Sequence, residues 1–433
     1  MLFLARETWG SRVGFVAAAI GSAVGLGNIW MFPWRAGKYG GAAFLIPYLI
    51  LLFAVGVIAL TVEWTLGRGT KGGPIVAFQK AGLPGGKYLG LLANITIFMI
   101  FAFYSLVLGW ILRYFIASLT GELLRINPGA FFDGLAFSKE AMIWQFVVIM
   151  LTVAIVALGV QKGIEKANKI MMPALFVLLI ILAIRSVTLP NSYEGLKFYL
   201  LPDISKALNA ETWMIALSQM FFSLSVLGNT MVVYGSYLKE NDDIPLSAIA
   251  TAFGDTAVAV TAGFLIFPAV FAFGLEPGAG PGLVFVTLPM VFQKMSGGAF
   301  FGFLFFLLLL FAGLSSTVSM LEVYVDSAIT NLKMERKKAA ILLGLLTFAI
   351  GAPAALSPYY FEKVLINIST IYVGPIGALI AALALIKFGV ERAYEEIKKG
   401  ALIEMPSLWK PWIKYVYPIV IVVIYISQFV LGG

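Results

Sequence analysis

The chain has 433 residues, of which 61% are hydrophobic, 14% aromatic and only 12% charged. A composition this apolar excludes an ordinary soluble domain and predicts a multispanning membrane protein. With no Cys and no His it also excludes disulfides, thiol chemistry and histidine-based metal, serine or cysteine catalysis. The net charge of +8 is distributed as membrane topology requires, so no nucleic-acid partner is expected.

Apolar runs of about 20 residues predict eleven spans. In chain order they cover 12–36, 42–67, 88–120, 141–160, 166–188, 212–237, 246–274, 299–328, 338–356, 364–388 and 411–431. The first run continues into a full span, so no separate cleavable signal peptide is expected. Short basic segments follow the second, fourth, sixth, eighth and tenth spans. With Arg6 and Arg12 they hold twenty of the thirty Lys and Arg residues. The positive-inside rule then sets the N-terminus in the cytoplasm and the C-terminus outside, in a cell membrane. The longest external connections are 189–210 and 275–298, and no soluble domain is expected.

Two spans are interrupted in the same way. The first carries Ser22-Ala23-Val24-Gly25-Leu26-Gly27-Asn28 and the sixth Ser223-Leu224-Ser225-Val226-Leu227-Gly228-Asn229. Gly weakens a helix by about 1 kcal/mol relative to Ala, and backbone freed in lipid must be satisfied inside the protein. Taken singly, Gly21-xxx-Gly25 fits a packing motif. Five spans separate the two breaks, and an odd offset inserts the two halves with opposite topology. Paired interruptions of this kind point to a transporter binding site near the midplane, with N–H groups for an anion and carbonyls for a cation.

"GSAVGLGNIWMFPW…GGAAFLIPY…EWTLGR", "KGIEKANKIMMP", "SQMFFSLSVLGN" and "FAGLSSTVSMLE" resemble spans one, two, five, six and eight of neurotransmitter:sodium symporters. The resemblance covers nearly the whole chain and points to the prokaryotic amino-acid branch. It implies an all-α membrane protein of the leucine-transporter type, one transporter domain over 1–433. Within it, 1–190 holds helices 1–5, 211–390 holds the inverted repeat of helices 6–10, and 411–431 is an extra eleventh helix. The implied activity is sodium-driven symport of a small amine-bearing substrate by alternating access, not an enzymatic reaction.

The resemblance also implies two sodium sites, and a hard cation wants oxygen ligands. The first would use the Ala23 carbonyl, Asn28, Ser223 and Asp255. The second would use the carbonyls of Gly21, Val24 and Ala312 with the hydroxyls of Ser315 and Ser316. Alone, those two hydroxyls fit ordinary back-bonding to their own helix. An acid at mid-span such as Asp255 costs at least about 2.5 kcal/mol on insertion scales and reads as functional. Glu63 reads as a structural hydrogen-bonding group beside the breaks, and Glu322 is a further buried acid. Asp326 is a partner for Arg6 in an inner gate, although the family's usual acid falls at Thr330 here.

For the substrate, the N–H groups of Leu26 and Gly27 suit a carboxylate, with the Tyr104 hydroxyl added. The carbonyls of Ala23 and Phe222, with Ser223 and Ser225 nearby, would receive an ammonium. Monoamine-carrying members have Asp where this chain has Gly25, so the substrate is expected to bring its own carboxylate. Ile100, Tyr104, Phe222, Gly228, Ser316 and Met320 would line the side-chain pocket, made roomier by Gly228. That predicts a large hydrophobic or aromatic L-amino acid. The family's outer-gate Arg is Met31 here, and its Asp partner aligns with Leu365, with Glu362 one turn away. The gate is therefore expected to rest on Tyr104 and Phe222. Ala259 lacks the carboxylate that replaces chloride in some members, but Asp255 supplies one nearby. Tyr48, Gln219 and Ser223 would then only hydrogen-bond locally, and chloride independence follows. An ion channel or an amino-acid-binding receptor is the alternative, and no obligate protein partner is evident.

Overall fold

Why the chain forms long helices, and where each begins, is set locally. The computed structural model describes residues 6–275, 280 and 282–430. Ser11, Ser138 and Asp243 each accept a hydrogen bond from the N–H three residues on, capping the helices that follow them. Pro245 occupies a first-turn position, where its missing N–H costs nothing.

Nine long apolar helices lie among the described residues: α3 (Ala42–Thr70), α4 (Gly86–Leu119), α5 (Lys139–Val156), α6 (Val160–Val187), α9 (Ile244–Ala272), α10 (Gly298–Leu332), α11 (Arg336–Ala355), α12 (Tyr360–Lys398) and α13 (Trp409–Ile426). A tenth span is the pair α1 (Arg12–Ala23) and α2 (Gly27–Lys38), bent by 51°. The remaining predicted span is α7 (Ala210–Ser223) with α8 (Thr230–Ser236), each half too short to cross alone. All eleven predicted spans therefore have a helical counterpart, and both predicted interruptions are real breaks. Within α12 the helix is interrupted at Gly389, with φ 108°, at the predicted end of the tenth span.

The connections 189–210 and 275–298 are not plain loops, because they carry the helices Tyr193–Leu200 and Leu283–Lys294. Short amphipathic segments there escape a search for membrane-length apolar runs.

The breaks lie at the centre of the bundle. α1 packs against α6, α9 and α10, and α10 runs along α4. α8 lies so close on α3 that a methyl on Gly235 would sit 2.5 Å from the Trp64 Cα. The outer faces are apolar: Ile170, Val177, Ile180 and Ile184 are exposed along one side of α6, as lipid contact requires.

Candidate functional site

At the first break the N–H groups of Gly25, Leu26 and Asn28 do not bond four residues back. They donate to Asn28 Oδ1 (3.0 Å), Tyr104 Oη (3.0 Å) and the Gly25 carbonyl (3.1 Å). The carbonyls of Gly21, Ser22 and Val24 are thereby released from the helix ladder. Ser22 O accepts the Ser225 hydroxyl at 2.9 Å, which ties the two breaks together. Ser225 does this from the left-handed region, φ 55°, a conformation rare outside glycine and common at functional sites.

Between the breaks lies a cavity. Ala23, Gly25, Gly27, Ile100, Tyr104, Phe222, Ser223, Ser225, Ser316 and Met320 line it, and Leu26 adjoins it through its bond to Tyr104. The Phe222 ring packs on Gly27, where a methyl would meet it at 3.1 Å. A methyl on Gly25 would sit 2.6 Å from Ser316 Oγ and 2.8 Å from Tyr104 Oη, so no side chain fits there without displacement.

Gly228 is a correction. It does not line the cavity: with φ 74° its missing side chain faces the Gly377 backbone on α12, and its N–H donates to Glu63 Oε1 at 2.7 Å. Leu227 lines the cavity instead, with Asn229, Thr230, Ser22 and Ile97. Gly228 therefore does not enlarge the pocket. Glu63 is fully buried and braces the second break, as a structural group would.

The groups expected at the first cation site converge. Asp255, fully buried, accepts from Asn28 Nδ2 (2.7 Å), Ser223 Oγ (2.8 Å) and Tyr48 Oη (3.3 Å). Among the described residues no basic side chain bonds to it. A desolvated carboxylate with only neutral donors fits a bound cation. At the second site, Ser316 Oγ lies 3.3 Å from Val24 O and 3.2 Å from Ala312 O, with Ser315 Oγ 2.9 Å from Ala312 O. Gly21 flanks this group: a methyl on it would lie 3.2 Å from Ser315 Cβ. The donor set is all oxygen, as a hard alkali cation prefers.

Comparison with known proteins identifies the architecture. The model of the sodium:neurotransmitter symporter family matches residues 6–128 and 133–431. The chain belongs to the sodium:neurotransmitter symporter family. An uncharacterized sodium-dependent transporter, YhdH of Bacillus subtilis, is 36% identical over 97% of both chains. The sodium-dependent serotonin transporter of Drosophila melanogaster is 30% identical, covering 97% of this chain and 76% of its own. The crystal structure of MhsT in complex with L-phenylalanine superposes with a TM-score of 0.88 at 40% identity, covering 98% of this chain and 100% of that one. The fold is thus the leucine-transporter type, and the protein is a sodium-coupled membrane transporter rather than an enzyme.

Met31 has no charge to offer and Leu365 is buried, while Glu362 pairs with Lys363 at 2.7 Å among exposed side chains. Arg35 lies one turn beyond Met31. Its Nη1 donates to Gln219 Oε1 at 2.8 Å, and Gln219 Nε2 donates to Gly27 O at 2.9 Å. Gln219 therefore links Arg35 to the first break. At the N-terminal end, Arg6 Nη2 lies 3.1 Å from Asp326 Oδ1, and Thr330 takes no part in that pair. Arg336 bridges Glu322 (2.7 Å) and Glu7 (2.8 Å), while Tyr237 Oη donates to Glu322 at 2.5 Å. Arg35, Leu227, Asn229 and Arg336 were all missed in the sequence. A basic residue at helical spacing from the vacant gate position is the signal that could have found Arg35.

Proposed function

We propose that this symporter imports a hydrophobic or aromatic L-amino acid with two sodium ions across the cell membrane, without chloride, by alternating access. Gly25 carries the reading. Beside the Leu26 N–H and the Tyr104 hydroxyl it offers no protein carboxylate, so the substrate supplies one. The Leu26 N–H, at the start of the half-helix α2, favours that anion. The ammonium lies by the carbonyls of Ala23 and Phe222 and the Ser225 hydroxyl. Ile97, Ile100, Leu227 and Met320 surround the side chain. MhsT, 40% identical, has been crystallised with L-phenylalanine.

Sodium at Ala23, Asn28, Ser223 and Asp255 neutralises the buried acid. Sodium at Gly21, Val24, Ala312, Ser315 and Ser316 ties α1 to α10. Both sites use oxygens of α1 beside the break, so ion binding and closure of the cavity draw on the same backbone. Arg6–Asp326 closes the N-terminal, cytoplasmic end. Arg35–Gln219 with Tyr104 and Phe222 closes the outer end, and the C-terminus lies outside.

The experiment is flux into proteoliposomes of twenty labelled amino acids, with an inward sodium gradient and with potassium replacing sodium. Concentrative uptake of the large apolar set in sodium, abolished in potassium, is expected. Uptake driven equally by a proton gradient alone overturns the coupling. Single-channel currents support a channel instead, and binding without flux a receptor.

A further inference from the structure

On α6, beside the second cation site, stands a polar side chain with one oxygen unused. Asn168 is fully buried, and its Nδ2 donates to the Ile164 carbonyl of its own helix at 2.9 Å. That bond fixes which face of the amide looks outward. Oδ1, with no hydrogen-bond partner among the described residues, is turned toward Gly21 on α1. The volume a methyl on Gly21 would fill is bounded on one side by Asn168 Oδ1 and on another by Ser315 Cβ. A buried carbonyl stripped of water and left unpaired is unfavourable, and a Cα–H contact from glycine recovers only part of that. One turn before Asn168, Glu165 accepts from the Gly10 N–H (2.7 Å) and the Ser11 hydroxyl (2.9 Å) at the N-terminal end of the bundle. Asn168 therefore lies level with Gly21, one turn from the contacts of Glu165 at that end, where α1, α6 and α10 meet.

We propose that Asn168 Oδ1 is a further oxygen of the second sodium site, serving the ion on the side facing the N-terminal end. This rests on the sodium-coupled reading above. An ion moving off Val24, Ala312, Ser315 and Ser316 toward that end meets this carbonyl before leaving the protein. The absent side chain at Gly21 keeps the approach open. Asn168 thus sets how tightly the second sodium is held and how readily it departs.

The test uses the full-length purified protein and radioactive sodium as the probe, in equilibrium binding without substrate. Asn168→Leu, close to isosteric, removes the oxygen, and Asn168→Ala serves if the Leu variant does not fold. Either variant should raise the sodium concentration for half-saturation about tenfold. Asn168→Asp, which keeps an oxygen there, should restore it to within about threefold of the unmodified protein. The rise in melting temperature produced by sodium should shrink in the Leu or Ala variant and not in the Asp variant. A purely structural Asn168 lowers the melting temperature with and without sodium alike and leaves half-saturation unmoved, which overturns the proposal. Ser316→Ala is the control: if it shifts sodium binding and the oxygen-deleting Asn168 variants do not, only the Asn168 assignment fails. No saturable sodium binding by the unmodified protein overturns the underlying reading as well.

Discussion

Replacing Asp255 with Asn tests the charge balance of the first sodium site. The carboxylate is fully buried, 2.7 Å from Asn28 Nδ2 and 2.8 Å from Ser223 Oγ, so an ion held among these groups lies within a few ångströms of it. Two unit charges about 4 Å apart attract by about 4 kcal/mol at an effective dielectric of about 20. Asn keeps an oxygen ligand, and removing a buried charge returns part of its desolvation cost. The net loss should therefore be about 1.5–3 kcal/mol, a sodium affinity lower by about 10- to 100-fold. The assay is sodium-dependent binding of the transported amino acid, titrated in chloride and in gluconate. The unmodified protein should give the same curve in both salts. Asp255→Asn should need far more sodium, and chloride should restore part of the affinity, because an external anion then supplies the missing charge. Strong chloride dependence of the unmodified protein, or an unshifted sodium curve in the variant, would refute the reasoning.

Tyr104→Ala should reduce amino-acid binding by at least about tenfold, since it removes a buried hydroxyl from the Leu26 N–H. Arg35→Ala should weaken it less, by accelerating release through the outer end, and Met31→Ala should lie within about threefold of the parent; inhibition constants in a binding assay rank the three. Gly25→Asp should abolish amino-acid binding, because its side chain must displace Ser316 Oγ and Tyr104 Oη; unchanged affinity would remove the argument that the substrate brings its own carboxylate. Asp326→Ala leaves Arg6 without its carboxylate. That should cost about 3 kcal/mol in closing the N-terminal end, read as faster labelling of a cysteine introduced at Ser22 from that side.

Much of this protein was legible in order along the chain. Eleven spans, two breaks and the mid-span Asp255 follow from local quantities: the length of an apolar run, the helix cost of Gly, the cost of a charge in lipid. The convergence of Asn28, Ser223 and Asp255 was reached through a motif, because residues from three separate helices leave no joint periodicity in the sequence. What only the tertiary structure decided is direction across helices. Gly228 takes φ 74°, so its face turns to Gly377 and Leu227 enters the cavity in its place. Arg35, one helical turn beyond Met31, brings its guanidinium to Gln219 on α7, a contact that no spacing along the chain states. The Arg6–Asp326 pair named from the sequence forms where the N-terminal segment docks, with Trp9 donating to the Tyr234 carbonyl. Asn168 reads in the sequence as one more polar residue of the charged stretch KGIEKANK, and becomes a candidate ligand only when α1 lays Gly21 against it. Spacing along a helix states which residues share a face. Which neighbour that face meets is set by packing between segments far apart in the chain.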